Sequence, residues 1–372
     1  MTTPRLQVDL DALAQNFHRL RQRNGESVAF DQAAAVVKAN AYGLGLEAVS
    51  TRLWHEGCRR FFVAFAEEGR QLRALLPAAK IYVLLGPTHE SLHTCITENL
   101  IPVLNTPEQC SRWSACSGAG AAALHIDTGM QRLGLAFDYN FDTLPPLQIE
   151  LVMSHFARAD EYSDPMRRQQ QERFGVCASA LQDRFPSALL SLNNSAGVLA
   201  DQHDGDLLEQ PWREPRIDRL GIALYGVNPH TEFSSAPAAL PMTTVATLQA
   251  QVLQVRRVEP GMMVGYGSTY EIRERGRLAT VGIGYADGVP RLLSNRGDVL
   301  LRSQRLPIVG RVSMDSLVVE LADSTLADCK IAEGNWVEVF GQNLPVEEVA
   351  AHAQTIAYEV FTGLGTRIER LS

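Results

Sequence analysis

No stretch of about twenty apolar residues occurs in the 372-residue chain, so no helix is expected to span a bilayer. The opening MTTPRLQVDLDALAQN lacks the apolar centre that a secretory leader carries. Positive charge is short as well: 34 Lys and Arg against 42 Asp and Glu leave a formal charge of −8. That balance argues against nucleic acid or an anionic membrane as the main partner. Cysteine is sparse and scattered. Cys58, Cys95, Cys110, Cys116, Cys177 and Cys329 include no C-x-x-C pair, which fits reduced thiols in a cytoplasmic protein. No short repeat or sustained heptad is visible, which excludes low-complexity, collagenous and coiled-coil classes.

What is present is an ordinary globular composition, 45% hydrophobic. A chain of this length buries roughly three quarters of its unfolded surface, so neither a disulfide nor a metal is needed to hold it, and no metal site is expected. The first two thirds alternate short apolar runs with helical stretches. The runs are AAVVK (34–38), FFVAF (61–65), IYVLL (81–85), IPVLN (101–105), ALHID (123–127), ELVMSH (150–155), LLSLNNS (189–195) and PRIDRLG (215–221). Each has the length and continuity of a buried strand. Helical patterns lie between them: one capped by Asp9 or Asp11, then AEEGRQLRALL, then PMRRQQQERFGVCASALQDRF. Eight strands spaced by helices predict an α/β fold, a (β/α)₈ TIM-like barrel rather than a doubly wound sheet.

The pattern changes after FSSAPAALPM (233–242), a Pro/Ser/Ala-rich linker. TVATLQAQVLQVRRV alternates with period two, and GRLATVGIGYADG, GDVLLRS, RLPIVGRV, DSLVVEL and NWVEVFG read as short strands. A barrel over residues 1–237 and a mostly-β domain over 238–372, with helix only near 345–361, are therefore expected.

Lys38, Asn105, Asp127, His155, Asn194, Ser195 and Arg219 fall at the C-terminal ends of the runs, the rim on which barrel enzymes build their sites. Strand ends are also polar simply because loops begin there. Lys38, behind two valines in VVKANAYGLG, is expected to be partly desolvated, which lowers an amine's pKa and makes it a usable nucleophile or base. On spacing alone a solvated rim lysine is the plainer reading. NNSAG (193–197) and DRLGIALYG (218–226) put Ser195 after the seventh run and Gly221 and Ile222 after the eighth, where barrels often bind phosphate. An ordinary glycine turn would look the same. Together, an amine and a phosphate cradle in one barrel mouth are the minimum for holding pyridoxal 5'-phosphate.

The motifs then resemble those of the alanine racemase family, fold-type III pyridoxal-phosphate enzymes. The resemblance runs through VVKANAYG (36–43), DTGMQRLG (127–134), SHFARAD (154–160), NNSAG, DRLGIALYG, GYGSTY (265–270), GYADG (284–288), VGRVSMD (309–315) and YEVFTGLGTRIER (358–370). It implies that Lys38 carries the cofactor and then acts as the base facing D-alanine, with Tyr266 as the base for L-alanine on the opposite face. Racemisation needs two positioned groups, because the proton leaves one side of Cα and returns from the other. A tyrosine with an ordinary pKa near 10 is a poor base near neutrality, and the resemblance points to His155 and Arg219 as the environment that helps. It also implies that Arg219 faces the pyridine nitrogen, donating to it and leaving it unprotonated. A weaker electron sink of that kind favours reprotonation at Cα over transamination.

By the same resemblance, Tyr42, Ser195, Gly221, Ile222 and Tyr358 contact the phosphate, and Arg132 reaches the cofactor phenolate and the substrate carboxylate. Met314 and Asp315 belong to the substrate site and Tyr285 to the entrance wall. Tyr266, Tyr285, Met314 and Asp315 would come from the partner chain of a head-to-tail homodimer. Read alone, Tyr266, Tyr285 and Met314 are packing residues of a β domain. One departure stands out. Many family members have a carbamylated lysine two positions before the aspartate of DTGM, and its carboxylate orients the arginine; here the position is His125. A partly buried Arg132 would then call for a small anion such as chloride, or another side chain, and a substrate other than alanine stays open. Rival readings are a decarboxylase or broad-specificity racemase of the same fold type, and a pyridoxal-phosphate carrier without catalysis. The implied reaction interconverts L- and D-alanine, for peptidoglycan or for alanine catabolism.

Overall fold

A computed structural model describes residues 3–23, 26–27, 29–161, 164–204, 216–232, 242–323 and 330–372. The chain divides into two units: Leu13–Ala41 with Leu46–Thr243, and Met1–Ala12 with Tyr42–Gly45 and Thr244–Ser372. The sequence-predicted linker at 233–242 lies, up to residue 241, outside the described residues, as does Cys329.

The first unit is built on eight parallel strands: β1 (Ala33–Val36), β2 (Arg60–Val63), β3 (Lys80–Val83), β4 (Ile101–Leu104), β5 (Ala122–Asp127), β6 (Ile149–Met153), β7 (Leu189–Ser191) and β8 (Asp218–Leu220). They are ordered β7-β6-β5-β4-β3-β2-β1-β8. A parallel bridge between Leu190 and Arg216, with Ile217 N–H donating to Leu190 O at 2.8 Å, brings the ends together into a nearly closed barrel. Strands such as β1, β2 and β4 are buried along their whole length, as expected where helices cover one face and the barrel interior the other. All eight apolar runs of the sequence are strands here.

Local signals start the helices. Thr106 Oγ1 accepts from Gln109 N–H at 3.2 Å with Pro107 in the first turn, and Asp164 Oδ1 accepts from Met166 N–H at 2.8 Å ahead of Pro165. Charges close the opposite end of the barrel from the site. Arg60 Nη1 and Tyr82 OH bond at 2.9 Å, and Tyr82 OH and Lys80 Nζ both donate to Glu150, at 2.5 and 2.8 Å. Arg60, Lys80 and Glu150 sit at the N-terminal ends of β2, β3 and β6, the face that serves stability in such barrels.

The second unit is mostly β. Its long strand Ala246–Val258 pairs antiparallel with Arg5–Val8, Trp336–Phe340 and Gly276–Val281, and the last pairs with Leu317–Ala322. Asp298–Leu301 and Gln304–Pro307 extend the sheet. Helix appears at Val346–His352 and Ala357–Thr362, ending one residue past the predicted 345–361. Arg5–Val8, which also runs parallel to Glu369–Leu371, was invisible in the sequence: four residues carry too little periodicity to announce a strand.

Candidate active site

Lys38 follows the end of β1 by two residues, and the chain then takes a form that alanine avoids. Ala39, Asn40, Ala41 and Tyr42 have φ of 54°, 56°, 52° and 56°, a left-handed turn of four successive non-glycine residues. Left-handed helical backbone costs roughly 1–2 kcal/mol per L-residue, so the surroundings must impose it. Two side chains do so. Asn40 Oδ1 accepts from Leu46 N–H at 2.8 Å, and Glu68 Oε1 accepts from Ala39 N–H at 2.7 Å. Burial, then the charge of Arg132, hold the Lys38 amine below its ordinary pKa, while Glu68 acts in the opposite direction.

Arg219, on β8, is 3% exposed and held by four acceptors. Nη1 donates to Ser191 Oγ, and Nη2 donates to Ser154 O at 2.6 Å, His155 Nδ1 at 3.1 Å and Leu192 O at 3.2 Å. Its Nε–H and second Nη1–H meet no acceptor among the described residues. Burial pulls the guanidinium down to about 10, still protonated near neutrality. Because an arginine only donates, His155 Nδ1 must be the acceptor, which puts the imidazole proton on Nε2. Burial, followed by the charges of Arg219 and Arg132, keeps His155 neutral.

His125, the departure, sits on β5. Asn105 Nδ2 spends both protons on Leu84 O (3.1 Å) and Val103 O (2.8 Å), so its oxygen faces His125 Nδ1 at 2.7 Å. Nδ1 therefore carries the proton and Nε2 the lone pair. Burial and then the charge of Arg219 push this imidazole down to about 4. Arg132 lies near enough to depress Lys38, His125 and His155 alike, so one positive field covers the mouth. Arg132 is exposed rather than partly buried, because its loop rises from the rim after β5. That loop is pinned by Asp127 Oδ1, which accepts from Gly129 and Met130 N–H at 2.8 Å each, and by Gly134, where φ is +116° and a Cβ would fall 2.6 Å from Asp127 N.

The residues predicted for a phosphate cradle come together after β7 and β8. Ser195 Oγ accepts from Gly221 N–H at 2.9 Å and Ala223 N–H at 3.3 Å, leaving its own proton to donate. Ile222 is 1% exposed and its N–H finds no acceptor among the described residues. A buried orphan donor, a free hydroxyl proton, two unspent arginine N–H groups and a desolvated amine form a donor set that fits a phosphorylated aldehyde with a ring nitrogen.

The remaining predicted residues belong to the β unit. Tyr42 and Tyr358 lie ring to ring at 6.2 Å, and burial raises Tyr42 well above its ordinary pKa. Tyr285 and Met314 are joined through backbone: Tyr285 N–H donates to Ser313 O and Ala286 N–H to Met314 O, both at 3.0 Å. Arg367 ties them together, donating to Asp287 Oδ1 (2.9 Å) and Asp315 Oδ1 (2.8 Å). Gly288 makes this packing possible, with φ +99° and Gly363 O only 2.2 Å from where a Cβ would stand. Tyr266 is 72% exposed, Met314 52% and Tyr285 43%, so the reading of these three as packing residues fails. Sequence reasoning missed Glu68, Gln170 and Arg367. Glu68 had a signal, the third position of a helix opening FAEE; Gln170, which accepts from Ala157 N–H at 2.8 Å and holds the His155 loop, had none, nor had Arg367.

A barrel whose rim offers that donor set, in a chain with a second β unit, defines a pyridoxal-phosphate enzyme of fold type III. The family description "Alanine racemase, N-terminal domain" matches residues 8–229, and "Alanine racemase, C-terminal domain" matches residues 245–372. The chain belongs to the alanine racemase family. It is 41% identical to the alanine racemase of Rhodospirillum rubrum, over 99% of this chain and 95% of that one. It is 40% identical to a catabolic alanine racemase of Agrobacterium fabrum, over 98% and 91%. The crystal structure of alanine racemase from Bartonella henselae with covalently bound pyridoxal phosphate superposes with a TM-score of 0.85 at 34% identity, covering 100% of this chain and 99% of that one.

Proposed function

We propose that this chain is a pyridoxal-phosphate-dependent alanine racemase, an isomerase that interconverts L- and D-alanine by a two-base mechanism. The observation that carries the reading is the joint placement of a desolvated Lys38 and a buried, protonated Arg219 in one barrel mouth. The cofactor, when bound, supplies a conjugated ring that makes the substrate Cα proton removable. Lys38 is the group that takes or returns that proton on the D side, and its depressed pKa supports a free amine for the task. Tyr266 of the partner subunit is the group on the L side. Arg219 offers its unspent N–H to the ring nitrogen and stays charged, keeping that nitrogen unprotonated. Ser195, Gly221, Ile222, Tyr42 and Tyr358 hold the phosphate. Arg132 reaches the alanine carboxylate, Met314 and Asp315 belong to the substrate site, and Tyr285 narrows the entrance.

The dimer is head to tail, and the exposed Tyr266, Tyr285 and Met314 support it, because such side chains left bare on one subunit suit a partner. A small anion such as chloride accompanies Arg132, since the neutral His125 supplies no charge and no carboxylate among the described residues pairs with this arginine. Among the described residues no helix is long and apolar enough to cross a membrane, and we place the enzyme in the cytoplasm. The reaction serves D-alanine supply for peptidoglycan or alanine catabolism.

Incubation with L-alanine in deuterated water tests the activity. Deuterium at Cα together with D-alanine is expected; neither would leave a carrier, and carbon dioxide release would make it a decarboxylase. A panel of other L-amino acids gives the substrate range. Mixing inactive Lys38→Ala and Tyr266→Phe chains should restore partial activity through one intact shared site, and no recovery would refute the shared-site arrangement.

A further inference from the structure

We propose that Glu68 is the positioning residue of Lys38, one carboxylate tying the left-handed turn after the lysine to the loop that follows β2. The inference rests on Lys38 being the cofactor-bearing lysine. Glu68 Oε1 accepts from Ala39 N–H at 2.7 Å, while Oε2 accepts from Ala64 N–H at 2.7 Å and Phe65 N–H at 3.1 Å. Three backbone donors on one anion make charge-assisted bonds, stronger than neutral ones. The Ala39 amide is the peptide plane that Lys38 itself begins, so holding that N–H fixes the direction in which the Lys38 side chain leaves the backbone. Without an external hold, four left-handed residues have no reason to persist. Asn40 secures the far end through Leu46 N–H; Glu68 secures the end beside the lysine.

The charged groups acting on Lys38 are Arg132, which favours the free amine, and Glu68, which favours the ammonium, with the neutral His155 close enough to feel the lysine. Glu68 thus sets both where the amine points and how readily it holds a proton. Glutamine at 68 has a single acceptor oxygen and would turn an NH₂ toward one of the three N–H groups. Aspartate keeps the charge and falls about 1.5 Å short. Neighbouring Glu67 pairs instead with Arg70 on the exposed face of the helix, and makes a control.

The test compares holoenzymes of the wild type, Glu68→Gln, Glu68→Asp and Glu67→Gln by kcat/KM and the pH profile of kcat for D-alanine, by thermal melting, and by borohydride trapping with peptide mapping of the lysine that carries the cofactor. Glu68→Gln should lower kcat/KM about ten- to a hundred-fold, the scale of a misplaced reacting group. It should also move the Lys38 limb of the profile to lower pH, because a charge favouring the ammonium is gone. Glu67→Gln should change neither. Should Glu68→Gln not fold, Glu68→Asp decides: a similar loss of kcat/KM with a smaller movement of the limb is expected. Lowered melting with kcat/KM and the limb unchanged, in either folded variant, would overturn the assignment. Trapping on another lysine in the wild type would instead sink the reading of Lys38 on which the assignment rests.

Discussion

His125 offers a quantitative test of how the site is held neutral. Its imidazole is buried, donates from Nδ1 to Asn105, and is pushed down to about 4 from an ordinary 6.5. Between those values the unfolded chain binds a proton that the folded chain refuses. Stability therefore falls as the pH drops through 6.5 and stops falling, for this residue, near 4. One pKa unit corresponds to about 1.4 kcal/mol, so lowering the pH from 7 to 5 should cost about 2 kcal/mol through His125 alone. His125→Gln keeps a neutral hydrogen-bonding side chain that does not titrate. Urea unfolding of the wild type and this variant at pH 7 and pH 5 reads the difference directly. The variant should lose about 2 kcal/mol less than the wild type over that interval, His155 contributing to both. Parallel losses in the two proteins would refute the claim that burial keeps His125 uncharged.

Two further outcomes follow from the geometry. Ser195→Ala removes the oxygen that organises Gly221 and Ala223 N–H, leaving buried donors unmet at a cost of about 1–3 kcal/mol. Cofactor affinity, measured by equilibrium dialysis, should drop by an order of magnitude or so; unchanged affinity would remove Ser195 from the cradle. Arg367→Gln frees Asp287 and Asp315, so the KM for alanine should rise several-fold with a smaller change in kcat, and steady-state kinetics that leave KM unaltered would count against Arg367 as the tie of the Tyr285 and Asp315 loops.

The barrel was legible because strands such as β1, β2 and β4 are buried along their whole length and so read as short apolar runs. The β unit was legible through the strict alternation of Ala246–Val258, whose first seven residues bury every second side chain. Arg5–Val8 was not, because its partners lie about 240 residues away in the chain and nothing local marks them. Ser195, Gly221 and Arg219 were legible as rim chemistry, and the roles of Tyr266, Met314 and Asp315 only through resemblance. What the sequence concealed is the support. The left-handed turn after Lys38 is spelled ANAY, without a glycine, and only the reach of Glu68 and Asn40 explains it. The neutral Asn105–His125 pair likewise depends on two backbone carbonyls that consume the amide protons.

Solvent exchange at Cα, followed separately for the two enantiomers in Tyr266→Phe, probes the two-base arrangement most directly. With the phenol gone and Lys38 intact, D-alanine should still exchange its Cα hydrogen with solvent while exchange from L-alanine and net racemisation collapse together. Equal exchange from both enantiomers, or loss of exchange from D-alanine alone, would contradict it.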